Sequence, residues 1–194
     1  LADVGLSVAG HLGLLSEAIL SEEPRGRHGN YVYGTFGRDF VTQDDRRVMV
    51  LALTARQWHS LGQATGLTEQ FHAIEVAGQL DLRQEEDRWR ARDEISRLLE
   101  PWIRQRPLGA VRETLESQGV LWGPYQTFKE LVTNDPRAST ANPMFEEVDE
   151  PGLGRHLIGR SPLRFSATAT APARSAPLLG EHTDEVIEEL GLAN

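Results

Sequence analysis

Three aromatic residues, Tyr31, Tyr33 and Phe36, fall within six positions, interleaved with Gly29, Gly34 and Gly37 and bracketed by Arg25, Arg27 and Arg38. Each type has a chemical use at such spacing. Glycine lets a ligand come close to the backbone, aromatic rings cover a planar group, and arginine grips carboxylate or phosphate with a two-pronged fork. A solvated linker has little need of all three. The stretch therefore predicts a pocket for a planar, carboxylated or phosphorylated ligand, with Tyr31, Tyr33, Gly34, Phe36, Gly37, Arg38 and Asp39 as its candidates. In that reading Arg38 is the clamp and Asp39 orients it. Packing at a domain crossover, with Arg38 and Asp39 paired, stands open beside it.

A second constellation lies near the C-terminus, where His182 sits among Glu181, Asp184, Glu185 and Glu188. A metal centre or an acid–base pair would use such groups. The same residues also spell a helix start: Thr183 as N-cap, two carboxylates in the first turn, and Val186, Ile187 and Leu190 as an apolar stripe ending at Gly191. His182 has no second histidine four positions on, so the helix start is the preferred reading. The other histidines, at 11, 28, 59, 72 and 156, are scattered without metal-ligand spacing. No cysteine is present, which removes thiolate chemistry and disulfides, and Lys129 is the single lysine beside nineteen arginines. Ser7 in "GLSVAG" lacks the glycine that a nucleophile elbow requires. The glycines of "YGTFGRDF" are too irregular for a phosphate loop or a dinucleotide fingerprint.

The elements that must position these groups are readable in outline. With 39% apolar and 25% charged residues the chain is globular in profile, and a net charge of −9 speaks against a general nucleic-acid surface. No apolar run reaches the length of a bilayer span, so a cytoplasmic protein without membrane contact is expected. Val4, Val8, Leu12, Leu15 and Ile19 make one helical stripe, with Gly5, Ala9 and Gly13 on a neighbouring face that admits a close partner. "FVTQDDRRVMVLAL" predicts a hairpin turning at Asp44-Asp45, where glycine would suit position 45 better. Thr54 and Gln57 form a capping box for a helix ending at Gly66. "EEDRWRARDEISRLLEPWIRQRP" predicts a second helix with Trp89 on its inner face, and "LGAVRETLESQG" a third. "VLWGPY" reads as a strand, "TFKELVTNDP" as a fourth helix boxed by Thr127 and Glu130. "NPMFEEVDEPGLGRHLIGRSPLRFS" reads as short strands with turns at Pro151-Gly152 and Ser161-Pro162, and "ATATAPARSAPLLG" as an extended connector.

Several of these stretches, taken in order, resemble the family III CoA transferases, the CaiB/BaiF family. "APLLGEHTDEVIEELG" is similar to the family's C-terminal signature. "FGRDFVTQDDRRVMVLALTARQWHSLGQATGL" resembles its linker, hairpin and helix. "ESQGVLWGPYQTFKELVTNDP" resembles a further conserved element, and "LADVGLS" the helix after its central block. "RHGNYVYGTFGRDF" and "TANPMFEEVDEPGLG" are most similar to the branch that moves CoA between the C1 and C4 carboxyls of mesaconate.

The resemblance implies an α/β fold and the C-terminal half of a protein about twice as long, in which this chain begins part-way. Residues 1–30 would be a long helix and crossover of the large domain, 31–149 the small α+β domain, and 150–194 the return crossover and C-terminal helix. It implies an interlocked homodimer, an acyl-CoA substrate with coenzyme A as part of it, and neither metal nor prosthetic group. The nucleophilic aspartate is expected upstream; Asp3 matches the end of the conserved block and does not take that role. An intermolecular CoA transferase, an acyl-CoA racemase and a non-catalytic assembly module remain as alternatives.

Overall fold

Strands β1 (Phe36–Val41) and β2 (Arg47–Ala52) form the expected antiparallel hairpin, with Phe36 opposite Ala52 and Phe40 opposite Val48. The turn closes through Asp45, whose φ of 56° is the left-handed conformation that glycine adopts more readily. Asp44 steadies it by accepting from the Thr42 hydroxyl at 2.6 Å and from the Leu108 amide at 2.9 Å. Strand β3 (Leu121–Pro124) adds on the other side of β2, antiparallel, giving the order β1-β2-β3. The computed structural model describes residues 1–22, 25–163, 165–168 and 171–192. Parts of the expected crossover loop at residues 23 and 24, of the short-strand stretch at 164, and of the extended connector at 169 and 170 thus lie outside the described residues.

The chain divides into two units, Leu1–Tyr125 and Gln126–Asn194. In the first, helices cover one face of the sheet. Before it come α1 (Ala2–His11) and α2 (Leu14–Leu20). The expected single stripe is broken here: Gly13 takes φ 76°, and the two helices diverge by 67°. Neither buries a residue, so Val4, Leu12 and Ile19 are exposed. Among the described residues no single helix is long and apolar enough to cross a membrane.

Helix α3 (Ala55–Thr65) starts at the Thr54/Gln57 capping box and stops at left-handed Gly66. Helix α4 (Thr68–Gly78) carries no strong apolar rhythm, since Phe71 alone is buried, which is why the sequence did not announce it. The long second helix is in fact two, α5 (Glu85–Arg90) and α6 (Arg92–Arg104), separated at buried Ala91. Pro101 does not interrupt α6, and α7 (Leu108–Ser117) follows, closed by Gly119 at φ 64°. Phe36, Val48, Val50, Leu61, Ile95, Leu99, Ile103, Val111 and Leu115 meet in one core. Each fully buried aliphatic side chain contributes about 1.5–3 kcal/mol, which fixes α6 against β1 and α3 against β2.

The second unit holds α8 (Phe128–Asn134), started by the Thr127/Glu130 capping box, and an antiparallel hairpin of β4 (Phe145–Glu150) and β5 (Gly154–Gly159). Its turn uses Gly152 and Gly154, both at positive φ. Arg160 pairs with Glu146 across the hairpin, and Glu146 also accepts from the Ala173 amide at 2.6 Å. Helix α9 (Thr183–Glu189) is the expected C-terminal helix, with a shifted start: His182 is the N-cap and Thr183 the first helical residue. His182 contacts Glu185 at 3.1 Å, and among the described residues no His/Cys/Asp/Glu group could hold a metal ion. Asp184 and Glu185 fall in the first turn of α9, where the helix dipole favours carboxylates.

Candidate functional site

The stretch expected to be a loop from Tyr31 to Phe40 is half strand. Residues 31–35 approach the sheet, and β1 begins at Phe36. Strand alternation then sorts the candidates onto opposite faces. Phe36, Arg38 and Phe40 share the face turned to the helices, while Gly37 and Asp39 face the other way. Phe36 has no exposed surface and packs edge-on to Trp58 at 6.3 Å, so it is a core residue rather than a pocket wall.

Arg38 and Asp39 do not work together. Asp39 pairs with Arg47 on the far face, and Asn30 also bonds its carboxylate. Burial by itself would raise the Asp39 carboxyl, but the Arg47 guanidinium and the Asn30 side chain outweigh it and hold the group below the usual carboxylate range. Asp39 is thus neither the orienter of Arg38 nor its partner. Arg38 instead donates to the Tyr31 hydroxyl at 3.4 Å, with its guanidinium 5.3 Å from the Tyr31 ring and 5.5 Å from the Phe40 ring. Among the described residues no carboxylate makes an ion pair with it; the Asp93 carboxylate lies beyond the shared Tyr31 hydroxyl.

Tyr31 joins the strand to the helix layer. Its hydroxyl lies 2.9 Å from an Asp93 oxygen and 3.0 Å from the Ser96 hydroxyl, both on α6. A second guanidinium, Arg92, lies 5.8 Å from the same ring and 4.2 Å from the Trp89 ring. Tyr33 sits between Trp89, at 5.1 Å, and Arg25, 3.7 Å above its ring. Arg25 is held in turn by a two-pronged bond to Glu17. Gly34, at φ 83°, makes the bend before β1. Gly37 is needed for space: a Cβ there would lie 2.7 Å from Val32 Cγ2, and the Val32 amide donates to the Gly37 carbonyl at 2.8 Å. Of the candidates, the structure thus gathers Tyr31, Tyr33, Gly34 and Arg38 on one side, and sends Phe36 to the core and Gly37 and Asp39 to the opposite face.

Sequence reasoning missed His28, Trp89 and Arg92. The i, i+3 spacing of Trp89 and Arg92 was the available signal, but Trp89 read as part of the inner face of one long helix and Arg92 was not singled out. The break at Ala91 turns these side chains toward the glycine–aromatic segment instead of the core.

The sequence profile of CoA-transferase family III matches residues 3–183. The chain belongs to this family. It is 50% identical, over its full length, to the 2-methylfumaryl-CoA isomerase of Chloroflexus aurantiacus, of which it covers 47%. It is 34% identical to the formyl-CoA:oxalate CoA-transferase of Streptomyces coelicolor over 103 residues, which are 53% of this chain and 24% of that one. Among solved structures, a CaiB/BaiF family protein of Brucella suis superposes with a TM-score of 0.60 at 21% identity, covering 91% of this chain and 43% of that one. A Mycobacterium tuberculosis structure gives 0.67 at 17% identity, with 95% and 44% coverage. These likenesses establish the family III α/β fold. The chain spans about half the length of the curated relatives it matches most fully.

Proposed function

We propose that this chain is the C-terminal half of a 2-methylfumaryl-CoA isomerase, which moves CoA from the C1 to the C4 carboxyl of mesaconate. The observation that carries this reading is the 50% identity over every residue of the chain, against partial coverage by the formyl-CoA:oxalate relatives. The large-domain helix and crossover would be residues 1–30, the small domain 31–149, and the return crossover with its helix 150–194.

The chemistry is carboxylate nucleophilic catalysis. An aspartate in the remainder of the protein attacks the C1 thioester carbonyl and expels CoA thiolate, leaving a mixed anhydride. The thiolate attacks the aspartyl carbonyl and expels mesaconate carboxylate, giving an aspartyl-CoA thioester. The retained mesaconate turns, and its C4 carboxylate attacks that thioester and again expels thiolate. Thiolate attack at C4 then frees the aspartate and closes the cycle. Each bond broken is replaced, and the steps require neither a metal nor a redox cofactor; coenzyme A enters with the acyl-CoA substrate. Arg38, which has no carboxylate partner among the described residues, is a group in this chain suited to hold the free carboxylate while the acid turns.

The test is the full-length protein with mesaconyl-C1-CoA and no added acceptor acid. Appearance of the C4 thioester supports the reading. Transfer that starts only on addition of a second acid favours the intermolecular reaction carried out by the formyl-CoA:oxalate relatives. The 194-residue chain by itself is expected to be inactive in this assay.

A further inference from the structure

Gly29 and Gly34, at φ of 60° and 83°, bound a segment whose middle is tied to α6 through Tyr31 and whose two ends meet α5. We propose that helix α5, through the adjacent side chains Arg88 and Trp89, is the positioning element of segment 28–35. The inference rests on the reading that Arg38, which bonds Tyr31 of this segment, holds the free carboxylate, so that the segment faces the acyl group.

Arg88 is fully buried, and among the described residues no carboxylate pairs with it. It donates to the Leu82 carbonyl at 2.9 Å, to the Leu53 carbonyl at 2.9 Å, and at 3.5 Å to the Thr35 hydroxyl, which itself donates to the Ala52 carbonyl at 3.1 Å. Its Nε has no hydrogen-bond partner among the described residues. Burying a guanidinium without a counter-charge is costly, and an apolar side chain would fill the space without that cost. Burial accordingly lowers its proton affinity, and Asp81 and Glu85 oppose this only from a distance. What the guanidinium adds is a joint between three segments: the end of β2, the turn before α5, and the start of β1.

Trp89 holds the other end. Its ring meets His28 edge-on at 4.8 Å, Tyr33 at 5.1 Å and Tyr31 at 6.4 Å. Arg88 therefore fixes the segment from inside at Thr35, and Trp89 fixes it from outside at residues 28–33. A short helix separated from α6 at Ala91 can aim two consecutive side chains at the two ends of one loop.

The experiment uses the full-length enzyme with Trp89→Ala, Trp89→Phe and Arg88→Met. Amide hydrogen exchange of residues 28–35 is read against β1 and β2 in the same sample, beside kcat, KM and release of free mesaconate. Trp89→Ala should speed exchange in 28–35 by about tenfold or more while β1 and β2 stay protected. It should lower kcat with little change in KM and raise release of free acid, and Trp89→Phe should restore both. Arg88→Met should speed exchange at the Thr35 end. Unchanged exchange in 28–35, or a rise spread evenly over the sheet, overturns the positioning role. Faster local exchange with wild-type turnover and no leakage keeps the positioning role and overturns the reading that the segment faces the acyl group.

Discussion

Arg38 and Asp39 are neighbours in sequence and strangers in the fold. A strand sends consecutive side chains to opposite faces, so the pair that looked like a clamp and its orienter is separated by the sheet. The separation leaves Arg38 by Tyr31 and Phe40, with no carboxylate bound to its guanidinium among the described residues. In the full-length enzyme Arg38→Ala should lower isomerisation by about tenfold, equivalent to ~1.4 kcal/mol, and raise release of free mesaconate. If both rates stay within about twofold of wild type, the carboxylate-holding role is wrong. Gly37 tests the other face. Gly37→Ala drives a methyl group into Val32, whose branched side chain has little freedom to give way. A loss of about 1–3 kcal/mol in urea unfolding is expected, and wild-type stability would contradict the close approach.

The helices most clearly marked in the sequence are those with local signals. Both capping boxes, Thr54/Gln57 and Thr127/Glu130, stand where their hydroxyl and carboxyl or amide groups placed them. The hairpin turn also formed as read, with Asp45 in the strained position. What eluded the sequence has two causes: the break at Gly13 is a local left-handed turn at φ 76°, while the break at buried Ala91 is set by packing, and α4 buries a single side chain that gives no rhythm. Two short turns add a pH dependence. Bonds from the Arg83 side chain and amide lower Asp81 to about 2, and those from Arg137 do the same for Asp135. Both folded values lie below the unfolded value of about 3.9. Their stabilisation is therefore present above about pH 4 and is lost as pH falls toward 2. Urea midpoints should drop across that window, and Asp81→Asn should flatten part of the drop. A midpoint constant down to pH of about 2 would contradict the pairing.

For the molecule as a whole, the family was readable because several collinear stretches carry it, from "LADVGLS" to "EHTDEVIEELG". The candidate site was readable only in part. The glycine–aromatic segment showed in the sequence, but Trp89 and Arg92 reach it from helices more than fifty positions away. Exposed apolar residues on α1 and α2, including Val4, Leu12 and Ile19, form a surface that a monomer of this chain leaves bare. The family resemblance implies an interlocked homodimer of the full-length protein; light scattering should give the dimer mass, and a monomer would contradict that assembly.

The central claim is that CoA moves within one acid. It is tested most directly by giving the full-length enzyme isotopically labelled mesaconyl-C1-CoA together with unlabelled free mesaconate. The account predicts that the C4 thioester keeps the label at its starting enrichment while the free acid stays unlabelled during initial turnover. Dilution of the label in the C4 thioester from the first turnovers would show that the acyl group exchanges with free acid and would contradict it.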